Sequence, residues 1–252
     1  MNLLFRVYSL VPRSMKNSLK DSKLNSIRIL IAEIRLRVWP RKFYSQTGED
    51  VVLRSYLPEK VGFYLDIGAG RPFSGSNTYL LYRRGWKGVC VDPLTSNTKL
   101  FKALRPRDKV LDVLISSKRQ SVPFWEFEPY EYSTADSDVA QELMLREGVR
   151  LLQYSSRECW PLSDIAPVAT PLNPSFLSID VEGLDLTVLS SNDWSRYSPR
   201  VVCVEEWGSD LRDTELSDIH LFMIDKGYKR KAWTGLSSIY VHRDYLEFIS
   251  NS

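Results

Sequence analysis

Two hydrophobic periods alternate along this chain. Short apolar runs at Phe63–Ile67, Gly88–Val91, Lys109–Ile115, Ser175–Ile179 and Val201–Val204 read as buried strands. Between them, Ser76–Arg84, Thr95–Leu104, Leu184–Leu189 and Thr214–Lys226 carry helical spacing, with Gly85, Pro106 and Gly227 as stops. Val51–Tyr56 predicts one more helix, and Ser121–Phe127 an extra strand. Tyr228–Trp233 and Ser237–His242 predict a closing antiparallel pair. Residues 128–160 hold no sustained period beyond a helical stretch at Asp138–Arg146, and read as irregular.

Strands that alternate with helices imply βαβ units, hence a doubly wound α/β fold with a mainly parallel sheet. Residues 1–42 stand apart from this pattern. Leu24, Ile27, Leu30, Ile31, Ile34 and Val38 recur there at helical spacing, with Lys23, Arg28, Arg35 and Arg37 between them. The segment holds ten Lys/Arg against two acids, a net +8, so residues 43–252 carry −5 of the +3 total. We therefore divide the chain into a basic amphipathic helical extension (1–42) and a body (43–252). The extension fits an anionic membrane leaflet, and equally an apolar face on the body or on a second copy of the chain. The acidic body argues against nucleic acid as a partner. No apolar run reaches 18 residues, and Arg6 interrupts the apolar start without a small-residue cleavage site after it. A cytoplasmic protein, peripheral at the inner face of the membrane, is expected. Three cysteines without CxxC spacing offer neither a disulfide framework nor a zinc site, and Cys90 and Cys203 sit in apolar runs as core residues.

In doubly wound sheets, ligands bind beyond the carboxyl ends of the strands. Four such ends carry acids here: Asp66, Asp92, Asp180 and Glu205. Asp66 opens the turn Asp66-Ile67-Gly68-Ala69-Gly70, whose glycines let backbone pass close to a ligand. This is not the dinucleotide fingerprint, because position 73 is Phe. A pyrophosphate would be repelled by Asp66, whereas a sulfonium cofactor with an amino group would not; a tight turn without a ligand is the plain alternative. Asp92 is placed to accept from ribose hydroxyls, or to cap the helix after Pro93. Asp180-Val181-Glu182-Gly183 and Glu205-Glu206 put acids on adjacent strand ends. Such a cluster suits a general base, from Asp180, Glu182 or Glu205, or a divalent cation held by Asp180, Glu205 and Glu206. The same acids could cap helices or pair with Arg196 and Arg200. Ser45–Asp50 reads as an ordinary helix start. Two histidines, His220 and His242, leave little material for a His-centred triad. Trp125, Tyr130, Tyr132, Tyr154 and Trp160 give the irregular stretch aromatic faces, suited to a lid over a sugar ring or to core.

These segments together resemble a known family. SQTGED at 45–50, YLDIGAG at 64–70, SNTYLLYRRGWKGVCVDP at 76–93, RPRD at 105–108 and LSIDVEGLDLTVL at 177–189 are similar, in order, to the FkbM methyltransferases. The resemblance covers about residues 45–245. It implies a class I methyltransferase (Rossmann-like) fold, S-adenosylmethionine as donor, and O-methylation of small molecules, often sugars of antibiotic or surface-polysaccharide pathways. It assigns Asp66, Gly68, Ala69 and Gly70 to the cofactor's methionine end and Asp92 to its ribose. It places Gln46, Glu49 and Asn77 along the cofactor or acceptor site, and matches Asp180 and Glu182 to the family's DVEG segment. Gly70 departs from the family, which more often has Asn there. The expected activity is O-methylation of a sugar or glycan-type acceptor, with a divalent cation such as Mg as a further cofactor and a homo-oligomer as a possible assembly. The rival reading is a non-catalytic adaptor docked through its basic helix, which would have no need of acids on four strand ends.

Overall fold

The computed structural model describes residues 22–38, 41–169, 175–208 and 217–250. The chain divides into two compact units, 1–41 and 42–252. In the first unit, α1 spans Ser22–Val38. Ile27, Ile31, Ile34 and Val38 follow one stripe of this helix and are exposed, as are Arg28, Arg35 and Arg37. The expectation for residues 1–21 lies outside the described residues. No described helix is long and apolar enough to cross a membrane.

The second unit begins with α2 (Glu49–Tyr56), β1 (Phe63–Ile67), α3 (Tyr79–Arg84), β2 (Lys87–Val91), α4 (Thr95–Leu104) and β3 (Lys109–Leu111). A second group follows: β4 (Leu114–Ile115), β5 (Gln120–Glu128), a 3-10 turn at Tyr130–Tyr132, α5 (Ser137–Leu145) and β6 (Arg150–Trp160). The unit closes with α6 (Leu162–Ala169), β7 (Phe176–Ile179), α7 (Asp185–Ser190), β8 (Val201–Glu205), α8 (Asp218–Asp225), β9 (Tyr228–Trp233), β10 (Ser237–His242) and α9 (Arg243–Ser250).

Seven strands form one sheet in the order β3-β2-β1-β7-β8-β10-β9. The first five are parallel, and β10 runs antiparallel to both β8 and β9. This is the doubly wound architecture expected, with the closing pair where the alternation put it. Side-chain parity sorts the core into two layers. Leu65, Ile67, Val89, Val91, Leu177 and Ile179 pack on one face with Ile165 of α6, Leu189 of α7 and Met223 of α8. Tyr64, Cys90, Phe176 and Cys203 pack on the other with Leu53 of α2, Leu81 of α3 and Phe101 of α4. The three cysteines are free and buried.

Two expectations are corrected. The apolar run 109–115 is two strands: β3 ends at Leu111, and β4 pairs instead with β6 in a separate sheet ordered β4-β6-β5. The stretch read as irregular contains β6, eleven residues long. Most of β6 is exposed, so burial left no alternation in its sequence to read.

β1 lies between β2 and β7, at the point where the chain direction of strand order reverses. A crevice opens there beyond the carboxyl ends, which is where a doubly wound sheet takes its ligand.

Candidate active site

The turn after β1 is held by its neighbours. Gly68 and Ala69 N–H both donate to Val91 O at 3.0 Å, and Gly70 N–H donates to Asp92 Oδ2 at 2.9 Å. Gly68 has φ +74°, and a Cβ there would lie 1.7 Å from Asp180 O. Only glycine fits that position, because the backbone of the next strand end presses directly against it. The ends of β1, β2 and β7 are thereby locked together.

A cavity of about 850 Å³ opens over these ends. Gly68–Gly70, Asp92 and Asp180–Leu184 line it from the sheet side, with Gln46 at its edge. Phe124, Tyr130–Asp136 and Leu143 line it from the group built on β4, β5 and β6. The irregular segment of the sequence is thus a folded cover with its own small core of Phe127, Ala140 and Leu143. Of the aromatics expected in a lid, Tyr130 and Tyr132 line the cavity; Trp125, Tyr154 and Trp160 are not among its lining residues.

Asp92 is buried and accepts from Gly70 N, Leu94 N (2.8 Å) and Asn97 Nδ2 (3.2 Å). Burial pushes its pKa up to about 7 against these hydrogen bonds. It holds the backbone at Leu94, the N-cap of α4, and its carboxylate lies on the cavity wall. Of the two roles expected for it, ribose acceptor or helix cap, the cap is not seen, since Leu94 occupies the N-cap without a side-chain hydrogen bond.

Beside the glycine turn, Asp180, Glu182 and Glu205 each bring a carboxylate oxygen within 4.8 Å of the other two; Asp180 and Glu182 line the cavity, and Glu205 is not among its lining residues. Asp180 is raised to about 8, first by burial and then by the charges of Glu205 and Glu182. Glu205 is raised to about 7 by burial and by Glu182 and Asp185. Gln46 Nε2 donates to Asp180 Oδ2 at 3.3 Å. Glu205 is only 5% exposed, and its Oε2 has no hydrogen-bond partner. Glu182 sits at φ +52°, a left-handed conformation uncommon for a residue with a Cβ. Asp185, which sequence reasoning passed over, accepts from Gly183 N at 3.1 Å and Val181 N at 3.4 Å and so shapes this turn. The trio's donor set, all carboxylate oxygen, suits a hard divalent cation as well as a proton.

Other expected residues are placed elsewhere. Asp66 shares the face of Tyr64, not that of Ile67, so it turns away from the cavity and accepts from Thr78 Oγ1. Asn77 donates to Ser178 Oγ at 3.1 Å behind the same turn. Glu49 accepts from Thr47 N (2.9 Å) and Thr234 Oγ1 (2.9 Å), pinning two loops, and is not among the cavity's lining residues. Burial raises its pKa, but the hydrogen bonds from Thr47 and Thr234 reverse that and leave it lowered. Glu206 accepts from Ser217 and from Tyr240 OH at 2.9 Å, so it stands apart from the trio. Adjacent residues on an extended backbone face opposite ways, which separates Glu205 from Glu206. Arg71, beside the glycine turn, lines the cavity and was not anticipated.

Residues 66–230 match the family model for the methyltransferase FkbM domain. This chain belongs to that family. An FkbM-domain protein is an S-adenosylmethionine-dependent methyltransferase, and the cavity fits the cofactor. Its volume is that of a small-molecule site, Asp92 offers acceptor oxygens at the end of β2, and its acidic wall suits a sulfonium. Solved structures similar to this family member include a TehB-like SAM-dependent methyltransferase from Corynebacterium glutamicum, at 10% identity over 88% of this chain and 100% of that one, with a TM-score of 0.44. Another is precorrin-6y C5,15-methyltransferase from Geobacter metallireducens, at 11% identity over 80% and 89% of the two chains, with a TM-score of 0.38. No curated protein matches the chain.

Proposed function

We propose that this methyltransferase acts on a hydroxyl of a sugar or glycan-type acceptor. The observation that carries the reading is the trio Asp180, Glu182 and Glu205, gathered at the crevice beside the cofactor turn. A hydroxyl is a weak nucleophile and must lose its proton as it attacks. S-adenosylmethionine, when bound, supplies an electrophilic methyl group on a positive sulfonium. Asp180 receives the hydroxyl proton on Oδ1, since Oδ2 is engaged by Gln46. The methyl passes to the acceptor oxygen, and the S–C bond breaks to leave S-adenosylhomocysteine. Tyr130 and Tyr132 on the cavity wall, and Trp207, which is 65% exposed two residues after Glu205, are surfaces on which a sugar ring can stack.

The trio has a second use, favoured by the unpartnered Oε2 of buried Glu205. A divalent cation such as Mg, held by the three carboxylates, would acidify the hydroxyl in place of a direct base. Transfer of labelled methyl to a panel of sugars and nucleotide sugars tests both. Asp180→Asn and Glu205→Gln, folded and still binding S-adenosylhomocysteine, should lose about a hundredfold or more in rate. Full activity in both would refute the role given to the trio. Loss with a chelator and recovery with Mg would favour the cation; indifference to the chelator would remove it.

We also infer that the basic extension brings the enzyme to an anionic membrane surface. The exposed stripe Ile27, Ile31, Ile34 and Val38, with exposed Arg28, Arg35 and Arg37 on the same helix, supports this.

A further inference from the structure

The cofactor is not uniformly positive. Its sulfonium and ammonium groups are cationic, and its α-carboxylate is an anion. The cavity wall carries Asp92, Glu131, Asp180 and Glu182, a surface that attracts the first two groups and repels the third. Among the described lining residues, only Arg71 and Arg146 are basic. Arg146 is exposed at the end of α5, where solvent screens it. Arg71 is half-buried and follows Gly70 directly, so it projects from the turn that carries the cofactor site.

Arg71 is also uncommitted. Its Nε is buried and makes no hydrogen bond, and no ion pair to it occurs among the described residues. Its guanidinium lies over the ring of Tyr130, 4.8 Å from the centroid. That contact is a cation–π one, and the guanidinium's remaining N–H groups can meet a carboxylate in a two-point fork. A surface arginine resting on a tyrosine would be ordinary. A half-buried one, with no carboxylate partner in a cavity whose wall is mainly acidic, has N–H groups left to be satisfied.

We propose that Arg71, resting over the ring of Tyr130, binds the α-carboxylate of S-adenosylmethionine. The inference rests on the cofactor reading above and deepens it, because it gives the cofactor's carboxylate a specific partner. Lysine at this position would keep the charge but lose the plane and the fork.

The test is calorimetric titration of the full chain with S-adenosylmethionine and with decarboxylated S-adenosylmethionine, which keeps the sulfonium and the amine but lacks the carboxylate. The wild type should bind the first more tightly. Arg71→Gln should weaken S-adenosylmethionine tenfold or more and leave the decarboxylated compound unchanged, so that the two affinities converge. Arg71→Lys should fall between, and serves in its place if the glutamine variant does not fold. Equal weakening of both ligands would mean a merely structural role and overturn the proposal. Unchanged binding of S-adenosylmethionine would overturn it too, and would turn Arg71 toward an anionic group on the acceptor. If the folded wild type binds neither ligand, the cofactor reading itself falls and takes the inference with it.

Discussion

At the scale of single residues, Asp92 is a buried carboxylate on the cavity wall. Its carboxylate has a pKa of about 7 in the fold against an ordinary 3.8. The folded state therefore holds the proton more tightly than the unfolded chain. The stability this contributes is full below about pH 4 and is lost as pH rises through about 7. If Asp92 takes the ribose, as the family resemblance implies, binding runs the other way, because the hydroxyls would donate to the ionised form. We expect the affinity for S-adenosylhomocysteine to fall as pH drops below about 7, approaching tenfold per pH unit. Calorimetry from pH 8.5 to 5.5 would check this, with Asp92→Asn as the control. A profile as steep in the variant would assign the effect to the other raised acids, Asp180 and Glu205. The same scale shows where Asp66, expected at the cofactor's methionine end, lies: it is not among the cavity's lining residues. Its position at a strand end was correct, but the parity of β1 sends its side chain to the Tyr64 face.

At the scale of elements, the site depends on a buried tie behind the glycine turn. Arg105, at the end of α4, pairs with Asp108 at 2.7 Å, and both side chains are fully buried. It also donates to Tyr64 OH (2.8 Å), Thr78 Oγ1 (3.0 Å) and Pro72 O (3.1 Å). One side chain thus joins β1, the turn after it, the start of α3 and the end of α4. Arg105→Met would leave Asp108 buried without its cation, at a cost of about 3–5 kcal/mol. Urea or thermal unfolding would measure the loss, and a change below about 1 kcal/mol would contradict this account of the tie. The elements themselves were largely legible in the chain. The seven sheet strands alternate between two buried layers, and burial writes a strong apolar signal. β6 was not legible, because an exposed strand carries no such signal; its pairing with β5 is what makes it a strand.

At the scale of the whole molecule, charge is divided between an extension at +8 and a body at −5. If the extension docks on a membrane, the full chain should sediment with vesicles containing phosphatidylglycerol and not with phosphatidylcholine alone. The binding should weaken in high salt and on changing Arg28, Arg35 and Arg37 to Gln. Equal sedimentation with neutral vesicles, or none with either, would count against it. Such docking would bring the enzyme to acceptors at a surface without asking anything of the catalytic cavity.

The sequence by itself determined the alternation of strands and helices, the glycine turn, the acids at four strand ends and the family. These are local matters: hydrophobic period, turn chemistry and residue order are all written within a few neighbouring positions. Tertiary structure alone decided which of those acids meet. Asp180, Glu182 and Glu205 converge, while Asp66, Glu49 and Glu206 serve the scaffold. It alone brought Tyr130 beneath Arg71 and folded the cover over the crevice. The reason is physical. Where a side chain points depends on strand parity and on what packs against it, and both are settled only when distant segments close on one another.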